Sequence, residues 1–414
     1  MAVLGFVAGL ALTACSSADS GSSGSGSSGS TSNAATASVL GRKQPATGTS
    51  VKIGFVTSEG GTALSLPETR ESAEAVVKYA DDYLGGLDGH PIDLITCKDK
   101  SDGASATACA NEFVQDKVVA VVVGQVSNTD LYIPILKGAG IPWIAATGTG
   151  QQELASDLSF DIGGGLIGIL AATAEAAKEA GLKHLVAFGI DVPAFTGLFN
   201  ALGKALFSKA GIAIDLITLP AGTPDATPQV ATGFAKHPDG VVVFAEKTLC
   251  KAFMPAIHNA NTSNVTVYMS GLCADPNVVA SIGTAPIDGA IVNGNSVSLG
   301  DDAEAKLYTA VMTTYGTPDL AQGNGSVGYV SMLGLVRAVN QVKPTGALTP
   351  SVIGSALHAA SKVPLPGIPG ATFTCDGTAI PTLEAVCSTG ILFSKVSGSK
   401  LVDFHVIDGT SLIK

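Results

Sequence analysis

Six cysteines in the body of the chain are the first residues whose type and spacing point to chemistry: Cys97, Cys109, Cys250, Cys273, Cys375 and Cys387. An even set leaves several connectivities open, and proximity along the chain favours three local pairs, Cys97 with Cys109, Cys250 with Cys273 and Cys375 with Cys387. Each small loop contributes on the order of 3 kcal/mol in the chain-entropy account of cross-linking. The competing chemistry is a metal centre, which needs clustered ligands. There is no CxxC, and no cysteine has a histidine at ligand spacing. The histidines (His90, His184, His237, His258, His358 and His405) are dispersed. Disulfides are therefore expected, and with them an oxidising compartment. No metal or cofactor is implied.

Other reactive types stand where apolar runs end. Ser127 and Asn128 follow one such run just before a helical-period segment. Exposed N–H groups and a hydroxyl there suit a ligand carboxylate, and they equally suit an ordinary helix N-cap. Thr147, Gly148 and Thr149 form a loop after the next run. Asp191 and Phe195 lie past a later run and Glu246 past another. A carboxylate facing a cleft pairs with a ligand ammonium; facing water, it is simply solvated. Trp143, the only tryptophan, sits inside an apolar run and reads as core. Gly163, Gly165 and Gly168 match GxGxxG, which taken alone suggests a dinucleotide fold. The match is weak in a chain with 50 glycines. The body has no GxSxG nucleophile elbow and no HExxH, so a hydrolase is the lesser alternative.

The elements that must position these residues alternate regularly. Val51–Thr57, Ile92–Thr96, Val118–Val123 and Ile141–Ala145 read as strands, with Leu66–Leu84 an amphipathic helix between the first two. The β-branched run Val118–Val123 marks a strand buried on both faces of a parallel sheet. The pattern then restarts with a helix at Leu166–Ala180. Strands are expected at Leu185–Ile190, Ile212–Thr218, Val241–Ala245, Val265–Ser270 and Ala290–Gly294. Helices are expected at Asp302–Tyr315, Val327–Val342 and Thr349–Ala360, and short strands at Gly390–Phe393 and Leu401–Ile407. Two β/α sets followed by a return segment imply an α/β fold of two doubly wound parallel-sheet lobes.

The 414 residues are 46% hydrophobic and 14% charged, ample for a large core of more than one lobe. The net charge is −11, and the 23 Lys and Arg never cluster, which argues against nucleic acid as a partner. Ala2 to Ala14 is short and apolar like a signal segment, and Leu12-Thr13-Ala14-Cys15 resembles the lipobox of bacterial lipoproteins. That resemblance implies acylation at Cys15 and an exported protein, lipid-anchored on the outer face of the cytoplasmic membrane. A plain secretory signal is the alternative. Residues 16–50 are a Ser/Gly-rich tether that cannot build a core.

The ordered set VKIGFVTSEGG, YADDYLGGLDGHPIDLITCKDK, VVAVVVGQVSNTD and GIPWIAATGTGQQEL resembles the leucine/isoleucine/valine-type family of type I periplasmic binding proteins. The resemblance runs in order from Val51 to Gly294. It implies two lobes joined by crossing strands near 161–164, near 293–296 and after Lys362, with residues 51–162 and 296–362 in the first lobe and 163–295 and 363–414 in the second. It also implies a monomeric solute receptor of an ABC importer, with the permease as partner. The ligand would be a branched-chain amino acid or a related amino acid or amide, held in the cleft by residues such as Ser127, Thr147 and Thr149. A ligand sensor for a membrane signalling receptor is the alternative. Two departures stand out. FGIDVPAFTG lacks the tyrosine common in amino-acid binders of the family, and Gly271 and Leu272 stand where an acid is usual, with Asp275 nearby.

Overall fold

The computed structural model describes residues 37–61, 65–261, 265–294, 297–323, 325–380 and 383–413. The apolar leader, Cys15 and residues 16–36 of the expected tether lie outside these residues, as do positions 295–296 of the expected second crossing. The rest of the expected tether, 37–50, is no tether but packs on the first lobe, with Leu40 in its core and the Gln44 and Ala46 amides donating to the Asp82 and Asp81 carbonyls.

The first sheet contains β1 (Val51–Ser58), β2 (Ile92–Asp99), β3 (Ala120–Val123), β4 (Trp143–Ala145) and β5 (Ser159–Asp161), in the order β2-β1-β3-β4-β5. Every pairing in it is parallel. β3 carries Ala-Val-Val-Val with all four residues buried, because helices cover both faces of the sheet. The second sheet repeats that order with β6 (His184–Ile190), β7 (Ala213–Leu219), β8 (Gly240–Phe244), β9 (Thr266–Ser270) and β10 (Ile291–Gly294), running β7-β6-β8-β9-β10. After a small hairpin of β11 (Val363–Pro364) and β12 (Thr372–Phe373), the chain adds β13 (Gly390–Ser397) and β14 (Lys400–Asp408). β13 runs antiparallel to β10, and β14 antiparallel to β13, so one edge of this sheet is a hairpin.

The chain passes between the sheets three times: after β5, after β10 and after β12. At the first passage Asp161 bridges to Val386, which lies on the third, so two passages run side by side. The segment 363–375, placed with the second lobe in the sequence reading, buries Val363, Leu365, Ile368 and Phe373 in the core under the first sheet.

Local differences from the sequence reading have simple causes. The expected helix Leu66–Leu84 starts at Pro67, where the fixed φ of proline suits the first helical position, and is α-helical to Tyr79. It then widens into a π turn over Ala80–Leu84 that stops at Gly85, φ 73°. Helix Ser326–Val342, apolar nearly all round, is buried beneath the first sheet. The three cystines are Cys97–Cys109, Cys250–Cys273 and Cys375–Cys387, the local pairs that proximity favours.

Candidate functional site

In an open sheet of order 2-1-3-4-5 the crevice opens at the carboxyl ends of the strands flanking the reversal, here β1 with β3 and β6 with β8. Both crevices open into one cavity of about 440 Å³ between the sheets. Glu68 and Thr69 reach it from the helix after β1, Gln125 from beyond β3, and Thr147 from beyond β4. Across the gap stand Ile190 at the end of β6, Phe244–Lys247 after β8, Ser270–Asp275 after β9 and Val292–Gly294 on β10.

The polar groups on the first side are held in place from behind. Thr69 donates its hydroxyl hydrogen bond to Thr57 (2.6 Å), and Arg70 binds Glu59 at 2.9 Å and Glu74 at 2.8 Å. The Arg70 guanidinium, helped by Lys98, holds the Glu59 carboxyl below the usual glutamate range despite its partial burial. The loop carrying Thr147 is fixed at its start by the Ala146 amide, which donates to Ser331 Oγ at 3.0 Å. At its end the Thr149 and Gly150 amides donate to Glu153. Trp143, buried at 1% exposure, donates its indole N–H to the other Glu153 oxygen at 2.7 Å. Burial pushes the Glu153 carboxyl up, and these N–H bonds oppose the shift.

On the second side the wall is mainly apolar: Leu166, Ile169, Ile190, Phe195 and Phe244. Two helices begin there, and their first residues carry charge. Glu246 is the N-cap of helix Lys247–Ala260, and its two oxygens accept the amides of Thr248 (2.5 Å) and Leu249 (2.8 Å). Asp275 caps helix Pro276–Ile282 by accepting the Asn277 amide at 2.8 Å, and its other oxygen lies 2.8 Å from Lys247 Nζ. That same ammonium is 3.9 Å from Glu68 across the gap, an ion pair between the two sides.

Among the residues singled out from sequence, Thr147, Phe195 and Glu246 lie on the cavity wall, whereas Ser127, Asn128, Thr149 and Asp191 do not. Ser127 is exposed. Asn128 is the N-cap residue of helix Thr129–Gly138 without a side-chain capping bond. Thr149 and Asp191 are exposed, and the Asp191 amide is spent on Leu219 O. The wall also contains Glu68, Gln125, Lys247 and Asp275, of which sequence reading raised only Asp275, and only by its proximity to an expected acid. The sequence reading missed Lys247; the one signal that could have found it is its place next to Glu246, at the start of a helix that follows a buried strand.

The GxGxxG glycines serve the passage between sheets. Gly164 (φ 81°) and Gly165 (φ 54°) take left-handed conformations, and a Cβ on Gly164 would strike the Ser388 carbonyl on the neighbouring passage. Gly165 packs against Asp161, whose carboxyl is fully buried at the end of β5. Burial, and then the charge of Glu153, push that carboxyl well above the usual aspartate range. Among the described residues, no group of three or more His, Cys, Asp or Glu is placed to hold a metal ion. No helix among them is long and apolar enough to cross a membrane.

Solved structures share this architecture. A leucine-binding protein from Thermotoga maritima superposes with a TM-score of 0.67 at 15% identity, over 86% of this chain and 99% of that one. An ABC-transporter solute-binding protein from R. palustris, in complex with benzoate, gives 0.67 at 20% identity over 87% and 96%. A branched-chain amino acid transporter substrate-binding protein from Streptococcus pneumoniae, in complex with isoleucine, gives 0.64 at 18% identity over 87% and 99%. No curated protein sequence matches the chain. The family profile described as periplasmic binding protein matches residues 50–386. With most of its length under that profile and its cavity at the paired switch points, the chain belongs to the periplasmic binding protein family.

Proposed function

We propose that this protein is the extracytoplasmic solute receptor of an ABC importer, a monomer anchored through an acylated Cys15 and a flexible tether, delivering its cargo to a membrane permease. The cargo is a small solute with an apolar body and a polar head, an amino acid or related amide in the first instance. One observation carries this reading: a cavity of about 440 Å³ is walled by strand ends from both sheets, with charged groups on both sides and an apolar patch of Ile190, Phe195 and Phe244 on the second. That volume falls in the range of small-molecule sites. Proteins of the same fold hold isoleucine and benzoate, each an apolar body bearing a carboxylate.

Ligand binding to both walls favours the arrangement in which they approach, and the passages between the sheets are the natural hinge. The test is a thermal-shift screen of the oxidised, leaderless chain against amino acids, amides, small carboxylates, amines and sugars. A ligand at 100 times its Kd adds about 2.7 kcal/mol of stability. A stabilising solute that also shrinks the radius of gyration in small-angle scattering supports the receptor. Silence across the whole library overturns it.

A further inference from the structure

We infer that Glu68 and Lys247 form the polarity-reading pair of this site: a zwitterionic ligand inserts between them, its ammonium on Glu68 in the first wall and its carboxylate on Lys247 in the second. The inference rests on the solute-receptor reading and assigns which residue reads which end of the ligand.

The assignment follows from what each charge on the wall is already doing. A charge moved from water into a closed cleft must keep an opposite partner and its hydrogen bonds. A ligand ammonium therefore needs a carboxylate with capacity to spare. Glu246 has less to offer, since each of its two oxygens already accepts an amide, from Thr248 or Leu249, at the start of its own helix. Asp275 has little, held between the Asn277 amide and Lys247. Asp191 is off the wall. Glu68 remains. Among the described residues its carboxylate has one ionic partner, Lys247 at 3.9 Å, which is beyond hydrogen-bonding distance and is cheaply exchanged.

Glu68 is also firmly placed. It sits in the first turn of helix Pro67–Tyr79, and neither Gly325 nor Gly328 has room for a side chain, because their Cβ positions fall against the Glu68 and Thr69 backbone carbonyls. Lys247 is placed by Asp275 at 2.8 Å, which leaves further ammonium protons to donate. A zwitterion entering head to tail replaces the long Glu68–Lys247 contact with two short ones. Each wall keeps an opposite charge, and the ligand itself links the two sides. The ligand body then falls on Ile190, Phe195 and Phe244, next to Lys247 on the same wall. This places recognition of the ammonium in the first lobe, and it answers the departures at FGIDVPAFTG and at Gly271 and Leu272, where the second lobe lacks the usual groups.

The test is a titration-calorimetry cycle on the oxidised leaderless chain. Leucine and phenylalanine are each compared with their deaminated forms, isocaproate and hydrocinnamate, and their decarboxylated forms, isoamylamine and phenethylamine. The wild type should bind at least one of the two amino acids about tenfold or more tighter than either singly charged relative. In Glu68→Gln the preference for the amino acid over its deaminated form should collapse towards one, while the preference over the decarboxylated form survives. Lys247→Gln should show the mirror pattern, and Lys247→Arg should keep both preferences. Because each variant is judged by ratios among its own ligands, loss of folded protein cannot imitate the pattern. Equal weakening of all ligands by both substitutions, unchanged ratios, or a wild type blind to charge would overturn the inference. If neither series binds while another solute in the wider screen does, the pair assignment falls and the receptor stands; if nothing binds, both fall.

Discussion

The two walls of the cavity are built on different physical terms. On the first, position is set by charge and hydrogen bonds: Arg70 between Glu59 and Glu74, Lys98 on Glu59 at 2.6 Å, and Thr69 on Thr57. On the second, position is set by packing: Phe195, Phe199 and Phe244 meet with ring centroids 5.5–6.3 Å apart, and Phe199 is fully buried behind the other two. Polar forces are directional and depend on pH and salt, whereas packing is neither. A receptor built this way takes the size of its ligand from the packed wall, while the charges that orient it, Glu68 and Lys247, stand on opposite sides.

The largest expected effect breaks the packed wall. Phe199→Ala should cost about 3–5 kcal/mol in denaturant titrations, the usual penalty for emptying a buried aromatic site, with little change between low and high salt. Ligand affinity should fall too, because Phe195 and Phe244 lose their backing. A loss below about 1 kcal/mol would mean that the wall can collapse around the gap and is not set by packing.

A smaller effect separates two roles for Glu246, an acid that sequence and structure both bring to this wall. Glu246→Ala should lower stability by about 1 kcal/mol through the lost helix cap and leave the ratio of affinities for aminated and deaminated ligands unchanged. If that ratio changes by tenfold or so, Glu246 touches the ligand ammonium and is more than a cap.

The smallest effect sharpens the charged wall. Glu59→Gln should cost no more than about 1 kcal/mol at neutral pH, since the network is partly solvated. Its signature lies in the pH dependence. The folded-state value of Glu59 is depressed below the ordinary 4.5, chiefly by the Arg70 hydrogen bond and next by Lys98. The folded state thus binds fewer protons there than the unfolded chain, and the contribution is present above pH 4.5 and lost as pH falls through the depressed value. Melting curves across that acid range should therefore fall less steeply for the variant than for the wild type. Parallel curves would remove Glu59 from the support of this wall.

The fold was largely legible because its signals are local. β3 and β8 are fully buried strands, each built on three consecutive valines, and helix Pro350–Ala359 announces itself by a proline start. Disulfide pairing was legible for the same reason, since each partner lies within one β/α unit or loop. β5 was blurred because three residues are too few to establish a period. The packing of 363–375 under the first sheet was illegible because nothing in a Pro- and Gly-rich stretch says which core its few apolar residues will join.

The site was legible only in part, and the dividing line is physical. The sequence by itself determined that polar residues past strand ends, Thr147 and Glu246 among them, would gather where two parallel sheets open, because strand direction and crossover handedness leave little choice. Only the tertiary structure decided which of them face the cavity. Past a strand end, side-chain direction is set by the loop and by the opposing lobe, so Glu246 turns its oxygens onto its own helix while Glu68 and Lys247, unremarkable in the sequence, meet across the gap at 3.9 Å. A carboxylate is functional or structural according to which hydrogen bonds it has already made, and those partners are distant in sequence.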